Sequence, residues 1–351
     1  MLVHICCSVD SHYFLQALQK EYPNEKLVGF FYDPNIHPYS EYRLRYLDVE
    51  YSCKKLGIEL IEGEYDLEEW LKVVKGLESE PEKGDRCTVC FDRRLEVSVK
   101  KMKELGDDKF TTTLLISPKK SQEKLLKIGS ELAQKYECEF IFKDYRSGKG
   151  MELQAQEVKQ NSLYRQNYCG CMFALNDQRS SQQKLSDELM MPIGRQVQPE
   201  SIEERLALYK QRDENSIVIK QRFLNYRLLS AKVSIKKEVL PSYFLCYSSL
   251  KNKKTTAKVE KIVDNIAYLN RDEVKLITLE YFNTLANKNY KTINELTWNP
   301  LAFERELQLR EELLKSSFDT SVVVVMETFP SEKITIECES NIFEDVRESL
   351  L

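Results

Sequence analysis

Short apolar runs alternate with helix-period stretches through the first half of the chain, and this alternation constrains the fold more than any other feature. Strands are expected at Leu2–Cys6, Leu27–Tyr32, Ile58–Ile61, Thr111–Ile116 and Glu139–Phe142. Between them the apolar spacing lengthens to three and four residues, which predicts helices over Tyr13–Lys20, Glu41–Leu56, Leu67–Lys75, Phe91–Leu105 and Gln122–Tyr136. Strands and helices taken in turn argue for an α/β domain, a mostly parallel sheet with helices on both faces and right-handed crossovers. Segments that follow the strands then gather along one sheet edge, so Cys6-Cys7, Asp33-Pro34-Asn35 and Ser117-Pro118 can converge.

The pattern changes near Asn176. Residues 176–214 are polar and read as a linker with one short helix, Ile202–Gln211. Residues 215–351 mix strand-like stretches (Ile217–Lys220, Tyr226–Ile235, Ser321–Met326, Lys333–Glu337) with helical ones (Lys275–Ala286, Phe303–Leu314) and predict a second, α+β domain. A length of 351 residues accommodates two domains. The net charge of −4 means that a nucleic-acid partner must be met by a local basic patch. No apolar run approaches the ~18 residues of a membrane span, and Met1 leads directly into the first strand, so we expect a cytoplasmic protein with no membrane association.

Ten cysteines are present, and six of them cluster in the first half as Cys6-Cys7, Cys87-x-x-Cys90 and Cys169-x-Cys171. In a reducing compartment such clusters read as metal or redox groups, not as a disulfide framework. Cys6-Cys7 follows a strand at a helix start, where thiolates form readily, and a disulfide between neighbours would be strained. Cys87 and Cys90 precede the helix expected at Phe91 and can face one metal. Together the four sulfurs suit tetrahedral zinc or a [4Fe–4S] cluster. An adjacent pair makes a poor zinc knuckle, which favours the cluster. Cys169-Gly170-Cys171 would close a small, easily reduced ring and suits a working dithiol, with ligation of a metal as the alternative.

Three smaller features accompany these. Asp10 can face the same cleft as a cation ligand or proton carrier, or cap the following helix. His37, in a loop after the second strand, is a substrate contact or merely solvated. Arg93, Arg94, Lys119 and Lys120 are phosphate contacts or plain surface.

Five blocks, in order, resemble the QueH-type epoxyqueuosine reductases across residues 1 to about 175. They are His4-Ile5-Cys6-Cys7, Tyr32-Asp33-Pro34-Asn35-Ile36-His37-Pro38, Arg86-Cys87-Thr88-Val89-Cys90 with Phe91-Asp92-Arg93-Arg94-Leu95, Thr111 to Pro118, and Tyr164 to Cys171. The resemblance implies reduction of the epoxide of epoxyqueuosine at the tRNA wobble position to queuosine, the last step of queuosine biosynthesis. It implies a [4Fe–4S] cluster on Cys6, Cys7, Cys87 and Cys90 and a redox-active pair at Cys169 and Cys171. An additional iron ion beside the cluster would have Asp10 as a candidate ligand. The implied fold is that of the adenine-nucleotide α-hydrolases (HUP-like), and the implied electron donor is a low-potential ferredoxin or flavodoxin. Residues 176–351 have no counterpart in that resemblance.

Within the second domain, residues 215–261 hold eleven Lys and Arg against two Glu, interleaved with Tyr226, Tyr243, Phe244 and Tyr247. This stretch is a candidate grip on tRNA outside the anticodon, or else a solvated basic face of a scaffolding domain. Two other functions compete with the reductase. Cys6-Cys7-Ser8-Val9-Asp10-Ser11 aligns with the phosphate loop of PP-loop ATPases, including iron–sulfur tRNA thiolases, but lacks its two glycines. A zinc-stapled binding module without catalysis is the other.

Overall fold

The computed structural model describes residues 1–213, 215–271 and 274–351, which divide into two compact units. The first comprises residues 1–189, 205–218 and 350–351. Its sheet uses β1 (Leu2–Ile5), β2 (Val28–Phe31), β3 (Glu59–Glu62), β4 (Lys109–Thr112) and β5 (Glu139–Phe140) in the order β3-β2-β1-β4-β5, every pairing parallel. β1 lies at the centre because both its neighbours must be parallel and all four of its residues are buried, as a continuous apolar strand requires.

Helices α1 (Ser8–Glu21), α2 (Tyr39–Leu56), α3 (Leu67–Val73), α4 (Asp85–Glu104), α5 (Gln122–Lys135) and α6 (Gly150–Gln160) flank this sheet. α1 packs against α2 and α6, and α4 packs against α5, so the apolar faces close over the sheet around Phe14, Leu15, Phe30, Leu95 and Val99. α7 (Met172–Ser181) follows the last cysteine pair, and α8 (Ile202–Lys210) matches the short helix expected there.

Several boundaries differ from expectation for local reasons. The fourth strand stops at Thr112, whose hydroxyl accepts the N–H of Leu114 at 3.1 Å and turns the chain into a 3₁₀ turn, Thr113–Leu115. α4 begins at Asp85, not Phe91, so Cys87 and Cys90 lie inside the helix one turn apart. The stretch Lys275–Ala286 divides at Thr278, whose side chain accepts from Tyr281 N–H and starts a helix after a strand.

The second unit comprises residues 190–204 and 219–349. Its elements are β6 (Val218–Ile235), β7 (Glu238–Leu240), β8 (Tyr243–Phe244), β9 (Lys254–Ala257), β10 (Val259–Val263), β11 (Ile266–Leu269), β12 (Val274–Thr278), α9 (Leu279–Ala286), α10 (Ile293–Trp298), α11 (Phe303–Leu314), β13 (Val322–Met326) and β14 (Ile334–Leu350). One sheet runs β10-β11-β12-β13-β8 and the other β7-β6-β14-β9. Successive residues of β13 point to opposite faces, and both faces are buried. Val323 and Val325 meet the helices through Phe282, Leu296 and Leu309, whereas Val322 and Val324 meet the second sheet through Ile334 and Ile336. The unit is therefore a three-layer α/β/β stack, an α+β arrangement. Among the described residues no helix is long and apolar enough to cross a membrane.

Candidate functional site

In the order β3-β2-β1-β4-β5 the winding reverses between β1 and β4, and the loops leaving those two strands part to form a crevice. Cys6 and Cys7 occupy that position. Cys7 has extended backbone (φ −167°, ψ 156°) and is the residue from which α1 starts. Cys6 Sγ stands 3.7 Å from Cys7 Sγ and 4.0 Å from the hydroxyl of Thr113, which comes from the turn after β4. Asp10 sits one turn into α1. Ligand atoms of Cys6, Cys7 and Asp10 all fall within 4.8 Å of one another, a spacing that can hold a single metal ion. Asp10 makes no helix cap; its carboxylate accepts from Gln154 Nε2 of α6 at 2.9 Å. Burial raises the Asp10 carboxyl, opposed by hydrogen bonds from Ser117 and Gln154 and by the Lys120 charge. The hydrogen bond shared with Cys6, in which Cys7 keeps its proton, together with burial pushes the Cys7 thiol well above its usual range.

Cys87 and Cys90 reach the site from α4. Cys87 Sγ accepts the backbone N–H of Lys83 at 3.2 Å, and burial outweighs this to raise its thiol. Cys90 is enclosed with Trp70, Val74, Cys171 and Ala174, and burial pushes it up to about 12. One turn further on, Arg94 is buried in an ion pair with Asp33, from the loop after β2. The Arg94 charge acts electrostatically on Cys90, Cys6 and Cys169, thiols that come from three separate segments. Burial lifts Asp33 to about 6 even against Arg94.

Cys169 and Cys171 are free thiols. Lys120 Nζ lies 2.9 Å from Cys169 Sγ. Burial acts to raise the Cys169 thiol, but Lys120 and Arg94 outweigh it and hold the thiol below its usual value. Gly170 has φ of +105°, and a Cβ there would come within 2.8 Å of Ile36 Cγ1, so only glycine fits the turn. Arg45 of α2 donates to the carbonyls of Cys169 (3.0 Å) and Tyr168 (3.1 Å) while pairing with Glu41 at 2.7 Å. The His37 loop clasps the same turn: His37 N–H donates to Gly170 O at 2.9 Å, and Tyr168 hydroxyl donates to His37 O at 2.8 Å.

The crevice thus gathers Cys6, Cys7 and Asp10 tightly, with Cys90, Cys169 and Asp33 around Arg94. Cys87 and Cys90 stand outside the 4.8 Å group. Burial raises the thiols of Cys87 and Cys90 and contributes to raising that of Cys7, and a bound metal would supply the positive charge that favours their thiolates. Arg93 pairs with Asp66 at 2.7 Å and is no free phosphate contact. Lys120, read from the sequence only as a charge near the motifs, is the partner of Cys169. The buried polar row Glu41, Arg45, Asp48 and Ser52 on α2 escaped notice; its signal was polar residues recurring at helical spacing between the apolar Tyr42, Leu44, Val49 and Cys53.

The basic stretch of the second unit has a different character in three dimensions. Lys220, Arg222, Lys232, Lys236, Lys253 and Lys254 pair with Glu348, Glu344, Glu337, Glu332, Glu339 and again Glu337. All but Glu332 of these acids lie on β14, far away in sequence. Tyr226 and Phe244 are buried, and the hydroxyls of Tyr243 and Tyr247 bond inward to Glu306 and Leu224 O. Six of the eleven basic side chains of this stretch thus have acidic partners, and they remain 44–83% exposed at the surface.

A parallel α/β domain with paired thiols and a carboxylate at its switch point, and further cysteine pairs on α4 and before α7 beside buried cations, defines a cysteine-rich protein of metal or redox type. Residues 1–177 match the family described as "Epoxyqueuosine reductase QueH". Proteins of that name include one from Helicobacter pylori, 43% identical over 97% of both chains. One from Thermotoga maritima is 33% identical, with 53% of this chain covering 95% of the relative. One from Streptococcus pyogenes serotype M1 is 34% identical over 50% of this chain and 69% of the relative. The chain belongs to the QueH epoxyqueuosine reductase family and is an oxidoreductase.

Proposed function

We propose that the chain reduces the epoxide of epoxyqueuosine in tRNA, at wobble position 34, to queuosine, and that Cys6, Cys7, Cys87 and Cys90 hold a [4Fe–4S] cluster. The observation that supports this reading is the Cys6–Cys7–Asp10 group at the switch point of the sheet, together with the contact between Lys120 and Cys169. The sheet order is the one expected of a HUP-like domain, with the site at its switch point. When bound, the cluster would pass single electrons, and an additional iron ion at Asp10 would supply a Lewis acid for the epoxide oxygen.

Converting an epoxide to an alkene consumes two electrons and two protons and releases water. The chain's own residues serve that balance. Cys169, whose ionisation Lys120 favours, and Cys171 hold two electrons as a dithiol and release them, with two protons, on forming a disulfide. A ferredoxin- or flavodoxin-type donor then restores the thiols. Asp10, hydrogen-bonded by Gln154, orients its carboxylate into the crevice, and Arg45 with the His37 loop fixes the cysteine turn. A tRNA substrate and a site built for reducing conditions agree with a cytoplasmic setting.

Anaerobic purification followed by iron and sulfide analysis tests the cofactor; about four sulfides and about five irons per chain are expected, one iron being the additional ion. The reduced protein is then incubated with epoxyqueuosine-containing tRNA, whose digested nucleosides should lose the mass of one oxygen. Stoichiometric zinc in a colourless protein, with no loss of oxygen, would overturn the reading in favour of a zinc-stapled module.

A further inference from the structure

Asp48 sits in the buried row of α2 and is the point on which the cysteine loops hang. One of its oxygens accepts the Ser8 hydroxyl, immediately after Cys7, and the backbone N–H of Tyr164 at 2.9 Å, five residues before Cys169. The other accepts Arg212 Nη1 at 2.7 Å. Arg212 also donates to Asn161 O at 2.6 Å, and its guanidinium lies 3.8 Å from the centre of the Tyr51 ring. The side chains of Arg212 and Asp48 are 2% and 1% exposed. A carboxylate so buried holds its charge only beside a cation, and one deprived of it takes up a proton. The protonated form loses acceptor capacity, and Ser8 or Tyr164 is then left unbonded.

Arg212 lies well beyond residue 177, where the family match ends, yet it belongs to the same compact unit as the cysteines. The Thermotoga relative is covered almost completely by about half of this chain. We propose that Arg212 is a positioning residue for the cysteine site: the segment 205–218 supplies the counter-charge that lets Asp48 fix both the Cys6–Cys7 loop and the turn leading to Cys169. The inference rests on the reading of those cysteines as the working site. It assigns to the region after residue 177 a part in completing the reductase domain.

The test uses the full-length chain stripped of metal, so that it reads geometry and not the loaded enzyme. Wild type, R212Q, R212K and the double variant R212Q/D48N are alkylated under native conditions, and each cysteine is followed by peptide mass spectrometry. In R212Q, labelling of Cys6, Cys7 and Cys169 should quicken by roughly tenfold, while Cys53 and Cys338, buried in the two cores, stay at the wild-type rate. R212K, whose ammonium cannot serve both Asp48 and Asn161 O, should give a smaller rise with the same selectivity. It carries the test if R212Q does not fold. R212Q/D48N, whose side-chain amide lacks the same acceptor that a protonated Asp48 lacks, should label at about the R212Q rate and no faster, because the charge on Asp48 is already lost in R212Q. Unchanged rates at Cys6, Cys7 and Cys169, or an equal rise at Cys53, would overturn the proposal. Iron analysis of the untreated wild type reports separately on the cofactor reading.

Discussion

At the scale of single residues, the site is governed by which cation each sulfur meets. Cys169 alone among the clustered cysteines is held below the ordinary thiol range, and the 2.9 Å approach of Lys120 is the cause that burial fails to cancel. Replacing Lys120 by Met removes the ammonium but keeps the burial, so the Cys169 thiol should rise above the ordinary range. Near neutral pH its alkylation should slow by about tenfold, and the inflection of labelling rate against pH should move upward. The cysteines themselves were legible in the sequence because clustering and position after strands are one-dimensional signals. Their partners were not. Lys120 lies 49 positions from Cys169, and Arg45 lies 124 from it, so nothing local joins them.

At the scale of elements, the strands and helices of the first half were readable from periodicity, and the errors fell at their ends. Cys87 and Cys90 look like a loop motif because apolar spacing begins only at Phe91, yet α4 already starts at Asp85. Helix ends are set by capping and by packing from other segments, which the local pattern does not contain. One junction shows packing overruling propensity. Gly129 stands in the middle of α5, where Ala would ordinarily favour the helix by about 1 kcal/mol. A Cβ there would come within 2.4 Å of the Phe140 ring on β5. Overpacking of that kind costs about 1–3 kcal/mol, so G129A should destabilise the first unit by about 1 kcal/mol, read as a lower urea midpoint.

At the scale of the whole molecule, the division into an α/β part and an α+β part was visible in the change of pattern near Asn176, but the course of the chain was not. The basic stretch 215–261 reads as unbalanced charge in one dimension because the acids that pair with part of it, Glu337, Glu339, Glu344 and Glu348, lie far away in sequence on β14. The second unit also buries Glu306, which accepts from Cys246 N–H at 2.6 Å, Tyr243 hydroxyl at 2.8 Å and Gln196 at 2.9 Å. Burial still raises its carboxyl above the ordinary value. The folded state therefore binds this proton more strongly than the unfolded state does. Its contribution to stability is fully present below the ordinary carboxylate range and is lost as pH rises through the raised value. E306Q should flatten that decline relative to wild type, measured as hydrogen-exchange protection of α11 across the acid range. The first unit has a further property: it is discontinuous, with Ile217 and Leu351 exchanging backbone hydrogen bonds at 3.0 Å in both directions. During synthesis the ribosome must therefore deliver the whole of the second unit before the first can be finished.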